Sequence, residues 1–222
     1  MRHFAEELEE LKQSLLEMGA LVESSIHTSV QALTEHDDRL ARRVIEDEAL
    51  INKMELDLDA RVTRLLALNQ PVAGDLRLLV MCLKINTDLE RMGDLAVSVA
   101  ERSISLNKLN APLGQPQAEM PRMAAIVEDM LHRTLDAFVK GDVELARAIF
   151  RTDDEVDALR DTVYKALIST MRTQPELVDA AVHLMFVARS LERIADHATN
   201  IAEDVIYMVR GVDVRHHAAE EL

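Results

Sequence analysis

The sequence has little of the material from which β-rich or disulfide-bonded proteins are built. Its 222 residues include one cysteine, no tryptophan, six glycines and five prolines, and aromatic residues make up only 3%. A β-sandwich or barrel needs turn residues about every 8–12 positions, so this composition argues against both folds. The lone Cys82 excludes an intramolecular disulfide and a cysteine-based zinc site, and we expect it to be buried and inert in a reducing compartment.

Long apolar segments are also missing. The longest uninterrupted apolar run is Leu78–Leu83, and residues 1–7 contain no apolar stretch of the kind found in signal peptides. The formal net charge of −15 repels nucleic-acid phosphate and anionic lipid. We therefore expect a cytoplasmic protein that neither binds nucleic acid directly nor inserts into the membrane.

Glycine and proline divide the chain into helical segments. The strongest breaks lie at residues 70–74 and 110–116, and weaker ones at Gly141 and Pro175. Between the breaks, apolar residues alternate at spacings of three and four, which is typical of helices with one buried stripe. We expect an all-α protein with six long helices, covering about 3–35, 37–69, 75–108, 119–140, 142–173 and 176–210.

The two halves of the chain repeat each other. Residues 89–94 read LERMGD and residues 191–196 read LERIAD. Upstream of these motifs, Asp37 and Asp142 are corresponding candidates for helix N-caps. A Gln-Pro pair at residues 70–71 and again at 174–175 then precedes the last helix of each half. The ordered set predicts two tandem repeated antiparallel three-helix bundles side by side, as domains 1–110 and 117–222.

Acidic residues occupy corresponding places in both repeats. The third helix of each repeat carries two acids four residues apart, and the second helix supplies a matching pair. Like charges at this spacing repel, so their repetition indicates a function. Oxygen ligands from two adjacent helices suit a hard cation such as Mg²⁺, Mn²⁺, Ca²⁺ or iron. The residues are Glu48, Asn52, Glu90 and Asp94 in the first repeat and Asp153, Asp157, Glu192 and Asp196 in the second.

The heptad register places these acids on the outer flank, pointing away from the core, unlike the inward ligands of a ferritin-like di-iron site. Plain solvated surface is the competing interpretation. His197 could extend the second cluster, although a surface histidine is favoured, and His132 and His183 are assigned no acidic partner. Arg77 is expected to form a surface ion pair. Because no nucleophile elbow or phosphate-binding loop occurs, we expect no enzyme. A dinuclear carboxylate hydrolase or oxidase and a structural scaffold stay as alternatives.

Several further segments complete a family resemblance. The two LERxxD helices, the VIE of residues 44–46, the QPVAGDLR of residues 70–77 and the IAEDVIY of residues 201–207 resemble the PhoU family of bacterial phosphate-uptake regulators. The resemblance covers nearly the full length of the chain, to Gly211, and its paired motifs make it specific.

The resemblance implies a function and a ligand set. Members of this family are not established enzymes. They form cytoplasmic dimers or higher oligomers that link the ATPase subunit of a phosphate transporter to a two-component sensor histidine kinase. They restrain uptake and starvation signalling when phosphate is plentiful. The resemblance further implies surface clusters of metal ions (iron, zinc, manganese or magnesium) on the eight residues named above. Because Asn52 stands where the second repeat has an acid, the first cluster is expected to be weaker, differently populated or smaller.

Overall fold

The structure is a computed structural model that describes residues 2–214, and these residues form helices and connecting turns. Within that range the long helices are α1 (Arg2–Thr34), α2 (Asp38–Asn69), α3 (Ala73–Leu109), α5 (Met120–Lys140), α6 (Val143–Thr173) and α7 (Val178–Arg210). The predicted helices are confirmed, with every end within two residues of the expected one. Two short elements were not predicted: the single turn α4 (Gln115–Ala118) and a 3₁₀ turn (Pro175–Leu177) before α7.

The expected caps are present at both repeats. The Asp37 carboxylate accepts a hydrogen bond from the backbone amide of Arg39 at 2.8 Å, and this contact closes the start of α2. The Asp142 carboxylate accepts from the amides of Glu144 and Leu145, both at 3.0 Å, at the start of α6. These contacts satisfy amide groups that have no partner within the helix.

The apolar stripes form one continuous core. The predicted stripe of α1, from Leu11 through Val22, is fully buried, as is the stripe of α7 from Leu184 through Val205. Cys82 is buried as expected, and burial raises the pKa of its thiol to about 12. A thiol that stays protonated at neutral pH is a poor nucleophile, so this cysteine is inert packing.

The two bundles pack through equivalent helices. In the first, α1, α2 and α3 contact one another, and α5, α6 and α7 do the same in the second. Across the boundary α1 packs on α5, and α3 packs on α7 more extensively than any other pair. Polar pairs cross the second contact, among them Lys84 with Asp204, Asp88 with His197 and Arg102 with His183. The boundaries 1–110 and 117–222 stay a prediction, and residues 215–222 of the second lie outside the described residues.

Candidate functional site

Helices α6 and α7 bring the four acids of the second repeat together. Asp153 is half-buried, and its pKa is raised to about 6, first by burial and then by the charges of Asp196 and Asp157. Burial and the charge of a neighbouring acid also raise the pKa of Glu192 and of Asp196. Asp153, Glu192 and Asp196 therefore each cost free energy to keep ionised, and the site favours a positive charge.

Arg160 supplies one positive charge from within the protein. Its Nη1 lies 2.5 Å from Glu192 Oε1 and 3.3 Å from Asp157 Oδ1, so the guanidinium joins α6 to α7. Its other nitrogens bond to Asp161 at 2.9 and 3.1 Å. The sequence interpretation missed Arg160, although its place three residues after Asp157 was a usable signal.

A groove of about 540 Å³ runs beside this cluster. Glu192 and Asp196 line it together with Arg160, and the exposed Arg189 and Arg193 lie at its edge. Charges of both signs meet in this groove, so it can contact a cation through the acids and an anion through the arginines.

The first repeat gathers its acids in the same way. The pKa of Glu48 is raised by burial and then by the charge and hydrogen bond of Asp94. The pKa of Glu90 is raised by burial and by Asp94, Glu55 and Glu48, against the opposing charge of Arg91. Arg91 lies 3.4 Å from Glu90 Oε2 and 3.5 Å from Asp94 Oδ2, but it is largely exposed.

The two clusters differ at one corresponding position. Glu55 stands 105 residues before Arg160, the same offset that relates Asp37 to Asp142. The first repeat therefore has a carboxylate where the second has a guanidinium, and the Glu55 charge acts on Glu90. Sequence reasoning did not weigh Glu55. Glu55 gives the first cluster a fourth acidic side chain, in place of the one that is missing at Asn52.

The acids lie at the surface of the bundles, as the heptad register predicted, but they differ in exposure. Asp196 is exposed and the side chains of Asp157 and Asp94 are 51% and 39% exposed, whereas those of Glu90 and Glu192 are 16% and 17% exposed. None of the eight predicted residues is buried, which agrees with their predicted position outside the core.

The donor chemistry fits a hard cation. All eight predicted ligands offer oxygen, and the Asn52 Oδ1 is buried without a hydrogen-bond partner. In residues 2–214, however, no group of three or more His, Cys, Asp or Glu side chains is arranged around a point where a metal ion would fit. The carboxylates are close enough to shift one another's pKa but do not converge. The metal assignment of these residues stays a prediction.

Three other predicted roles change. His197 is not the surface histidine that was favoured, because its side chain is only 17% exposed. Its Nδ1 lies 2.8 Å from Asp88 Oδ1 on α3, so the imidazole pairs with an acid outside the second cluster. Among the described residues Arg77 has no acidic partner at ion-pair distance, and its Nε donates to the carbonyl oxygen of Met208 at 3.1 Å. His132 has an acidic partner after all, at 3.5 Å on another helix. All three contacts join distant parts of the chain.

Comparison with known proteins agrees with this arrangement of two bundles. The PhoU domain family matches residues 15–103 and 120–205, one match in each bundle. The chain belongs to the PhoU domain family. The phosphate-specific transport system accessory protein PhoU homolog of Pseudomonas aeruginosa is 41% identical over 216 residues, covering 97% of this chain and 88% of that protein. The homolog of the same name from Caulobacter vibrioides is 33% identical over 214 residues, covering 96% and 93%.

Solved structures of PhoU have the same fold. The crystal structure of PhoU from Pseudomonas aeruginosa superposes with a TM-score of 0.90 at 40% identity and covers 94% of this chain and 100% of that one. The phosphate transport system regulatory protein PhoU from Streptococcus pneumoniae gives 0.87 at 29% identity, covering 95% and 99%. The predicted all-α fold of two tandem PhoU bundles is confirmed. Among the described helices, none combines the length and apolar character needed to span a bilayer.

Proposed function

We propose that this PhoU-family protein is a negative regulator of phosphate uptake and phosphate-starvation signalling, acting in the cytoplasm as a non-enzymatic adaptor. The observation that carries the proposal is the match along almost the whole chain to proteins named as accessory to, or regulatory of, phosphate transport. Two matched domains in one rigid helical slab, with charged grooves on its surface, suit a protein that acts by contacting others.

The proposed partners are the ATPase subunit of a phosphate transporter and a sensor histidine kinase, together with a second copy of the chain. The groove beside Arg160 supports a role in docking, because it presents exposed arginines next to the partly buried Glu192 and the exposed Asp196. Such a groove can bind a partner surface that carries both positive and negative side chains. A partner without complementary charges would leave the acids and arginines of the groove desolvated and unpaired, which disfavours its binding.

The two carboxylate clusters are the proposed binding places for divalent or trivalent cations such as iron, zinc, manganese or magnesium. The ligands would be Glu48, Asn52, Glu90 and Asp94 in one cluster and Asp153, Asp157, Glu192 and Asp196 in the other. A bound cation would neutralise these acids and offer open coordination positions to a partner carboxylate or a phosphate oxygen. The raised pKa of Asp153 and the unpartnered oxygen of Asn52 support this assignment.

The first cluster is the stronger cation site in this proposal, which reverses the expectation drawn from Asn52. Arg160 bonds to Glu192 and contacts Asp157 in the second cluster, so an incoming ion must displace a guanidinium. In the first cluster the corresponding Glu55 adds negative charge, and Arg91 is exposed and more easily displaced. Local charge therefore favours cation binding at Glu48, Glu90 and Asp94.

A deletion strain tests the regulatory proposal. A reporter under a phosphate-starvation promoter should be silent in rich phosphate when the protein is present and active when it is deleted, with faster phosphate uptake. Normal repression without the protein would overturn the proposal. The dinuclear hydrolase alternative predicts phosphoester turnover by the purified chain that disappears in Glu192→Gln.

A further inference from the structure

A second repeated motif, separate from the carboxylate clusters, lies where α1 packs on α5. Glu23 and His27 stand four residues apart on α1, and Glu128 and His132 stand four residues apart on α5. Both members of the second pair lie 105 residues after their counterparts, the offset that relates the two helix caps. The tandem repeat thus carries one Glu-x-x-x-His motif in the first helix of each bundle.

The packing of the bundles turns these two motifs toward each other. His27 Nδ1 lies 3.4 Å from Glu128 Oε1, and His132 Nδ1 lies 3.5 Å from Glu23 Oε1. This crossed pairing requires α1 and α5 to run antiparallel, with the two motifs related by the same pseudo-twofold relation as the bundles. Each histidine therefore contacts the glutamate of the other repeat.

The helices approach closely beside this cluster. A Cβ atom added at Gly19, one turn before Glu23, would lie only 2.2 Å from Leu135 Cδ1 of α5. The Leu135 side chain fills the space that a side chain at Gly19 would need, so α5 packs against α1 one turn from the facing motifs. The four side chains are consequently drawn from two rigid helices rather than from loops, which limits their movement.

The glutamates of the cluster share one local environment. Burial raises the pKa of Glu23, His132 opposes that rise, and the Glu128 charge adds to it. Burial likewise raises the pKa of Glu128 against the influence of His27. The two carboxylates therefore repel each other electrostatically, and each lies beside an imidazole. The histidines are 66% and 67% exposed, so an ion can reach them from solvent.

We propose that Glu23, His27, Glu128 and His132 bind one zinc ion, or a similar divalent transition metal, and that this ion joins the two bundles. Two imidazole nitrogens and two carboxylate oxygens are a ligand set that zinc accepts, at about 2.0–2.2 Å from each donor. A tetrahedron with those bond lengths has a nitrogen–oxygen edge of roughly 3.4 Å. The observed separations of 3.4 and 3.5 Å match that edge.

The spacing within each motif also suits chelation. Two ligands four residues apart on one helix face can bind the same zinc ion, as in the His-Glu-x-x-His motif. In the structure each imidazole contacts one carboxylate, and the four donors do not yet meet at one point, in keeping with the lack of a preformed metal group among the described residues. Binding of one ion by all four donors requires the exposed imidazoles to rotate about their χ angles.

Cobalt and zinc titrations of the full-length protein test this site. The chain is stripped with a chelator and titrated with Co²⁺, whose visible absorption distinguishes a tetrahedral site with nitrogen ligands from the oxygen-only carboxylate clusters. We expect an intense visible band that saturates with one ion per chain. The double variant His27→Gln/His132→Gln should lose this band and bind zinc about 100-fold more weakly.

Two controls separate this site from other metal binding. His3 pairs with Glu7 at 3.9 Å with the same four-residue spacing but without a facing motif, so His3→Gln should keep the band. Asp153→Asn/Glu192→Gln should also keep it, because those acids belong to a carboxylate cluster. A failure of the proposed cation clusters is thus distinguishable from a failure of this site.

Thermal unfolding gives a second readout. Zinc that binds only the folded chain raises its midpoint temperature, and this rise should vanish in His27→Gln/His132→Gln. Circular dichroism verifies that the variant keeps its helices, which we expect because both histidines are largely exposed. The proposal is overturned if the band and the thermal shift survive in the double variant, or if His3→Gln loses them equally.

Discussion

At the scale of single residues, Asp153 links the electrostatics of the second cluster to the stability of the fold. Its pKa rises from 3.8 to about 6 on folding, chiefly because burial disfavours the charged form. Within that pH window the folded chain holds a proton that the unfolded chain has released. Stability that is present below pH 3.8 is therefore lost as the pH rises through about 6.

Asp153→Asn should remove this dependence. In the presence of a chelator, we expect the variant's free energy of unfolding at neutral pH to exceed that of the parent by about 1–2 kcal/mol, a figure discounted because the group is half exposed. Urea unfolding at acidic and neutral pH measures the difference. The neighbouring exposed Asp154→Asn is the control. Equal effects of the two substitutions would show that Asp153 is not electrostatically strained.

Arg160→Gln should strengthen cation binding at the second cluster. The substitution removes the guanidinium that contacts Glu192 and Asp157, while the amide keeps part of the packing. We expect manganese affinity, measured by isothermal titration calorimetry, to rise about tenfold. Arg133→Gln, which breaks a surface pair with Asp129 on α5, should leave affinity unchanged. No gain in Arg160→Gln would mean that the guanidinium does not compete with metal.

Sequence patterns predicted these residues unevenly. The acids of both repeats were found because the repeat preserves their spacing on a helix face. The action of Glu55 on Glu90 and the contact of Arg160 with Glu192 were missed because they cross from one helix to another, whereas the spacing of Arg160 from Asp157 on one helix was available in the sequence. The partnership of His197 with Asp88 was missed for the same reason, since 109 residues separate the two.

At the scale of helices, glycine positions control how closely the bundles approach. Gly19→Val places atoms where Leu135 packs, so we expect a loss of about 2 kcal/mol in the free energy of unfolding. Gly74→Val is the matched control, because no atom lies within 4 Å of a Cβ added there. Its effect should stay within about 0.5 kcal/mol. Urea unfolding compares them, and similar losses would contradict the packing assignment.

Helix boundaries were the most predictable feature of the chain. Asp37 and Asp142 accept backbone amide bonds, and Gly141 and Gly211 end their helices with positive φ, so local chemistry alone marks these sites. The short helix α4 was not predicted because its four residues lie in a segment dense with proline and glycine. Such a segment reads as a break whether or not one turn of helix forms within it.

At the scale of the whole molecule, the ion pair between Lys84 and Asp204 connects the two bundles. Asp204 is 3% exposed, so removing its cationic partner leaves a buried carboxylate in poorer surroundings. Lys84→Met should destabilise the protein by about 2 kcal/mol. Lys140→Met, which breaks an exposed pair with Asp136, should cost less than about 0.5 kcal/mol. Equal changes in thermal or urea unfolding would contradict a role for the buried pair in joining the bundles.

The way the bundles join was only partly predictable. The repeat indicated two similar bundles side by side, but not that α1 meets α5 and α3 meets α7. Each of these helices buries one face within its own bundle and a second face against the other bundle. The heptad pattern of apolar residues predicts only the face within its own bundle. The facing glutamate–histidine motifs were overlooked for this reason, although their offset of 105 residues was visible in the sequence.

The most direct test of the account is whether the carboxylate clusters are needed for repression. A deletion strain carrying a phosphate-starvation reporter receives one of two quadruple variants, each first verified as folded. The cluster variant is Glu48→Gln, Glu90→Gln, Asp153→Asn and Glu192→Gln. The control replaces four exposed acids elsewhere, Glu17, Glu35, Glu46 and Asp57. We predict that in rich phosphate the control silences the reporter and the cluster variant leaves it active. Full repression by the cluster variant would contradict the account.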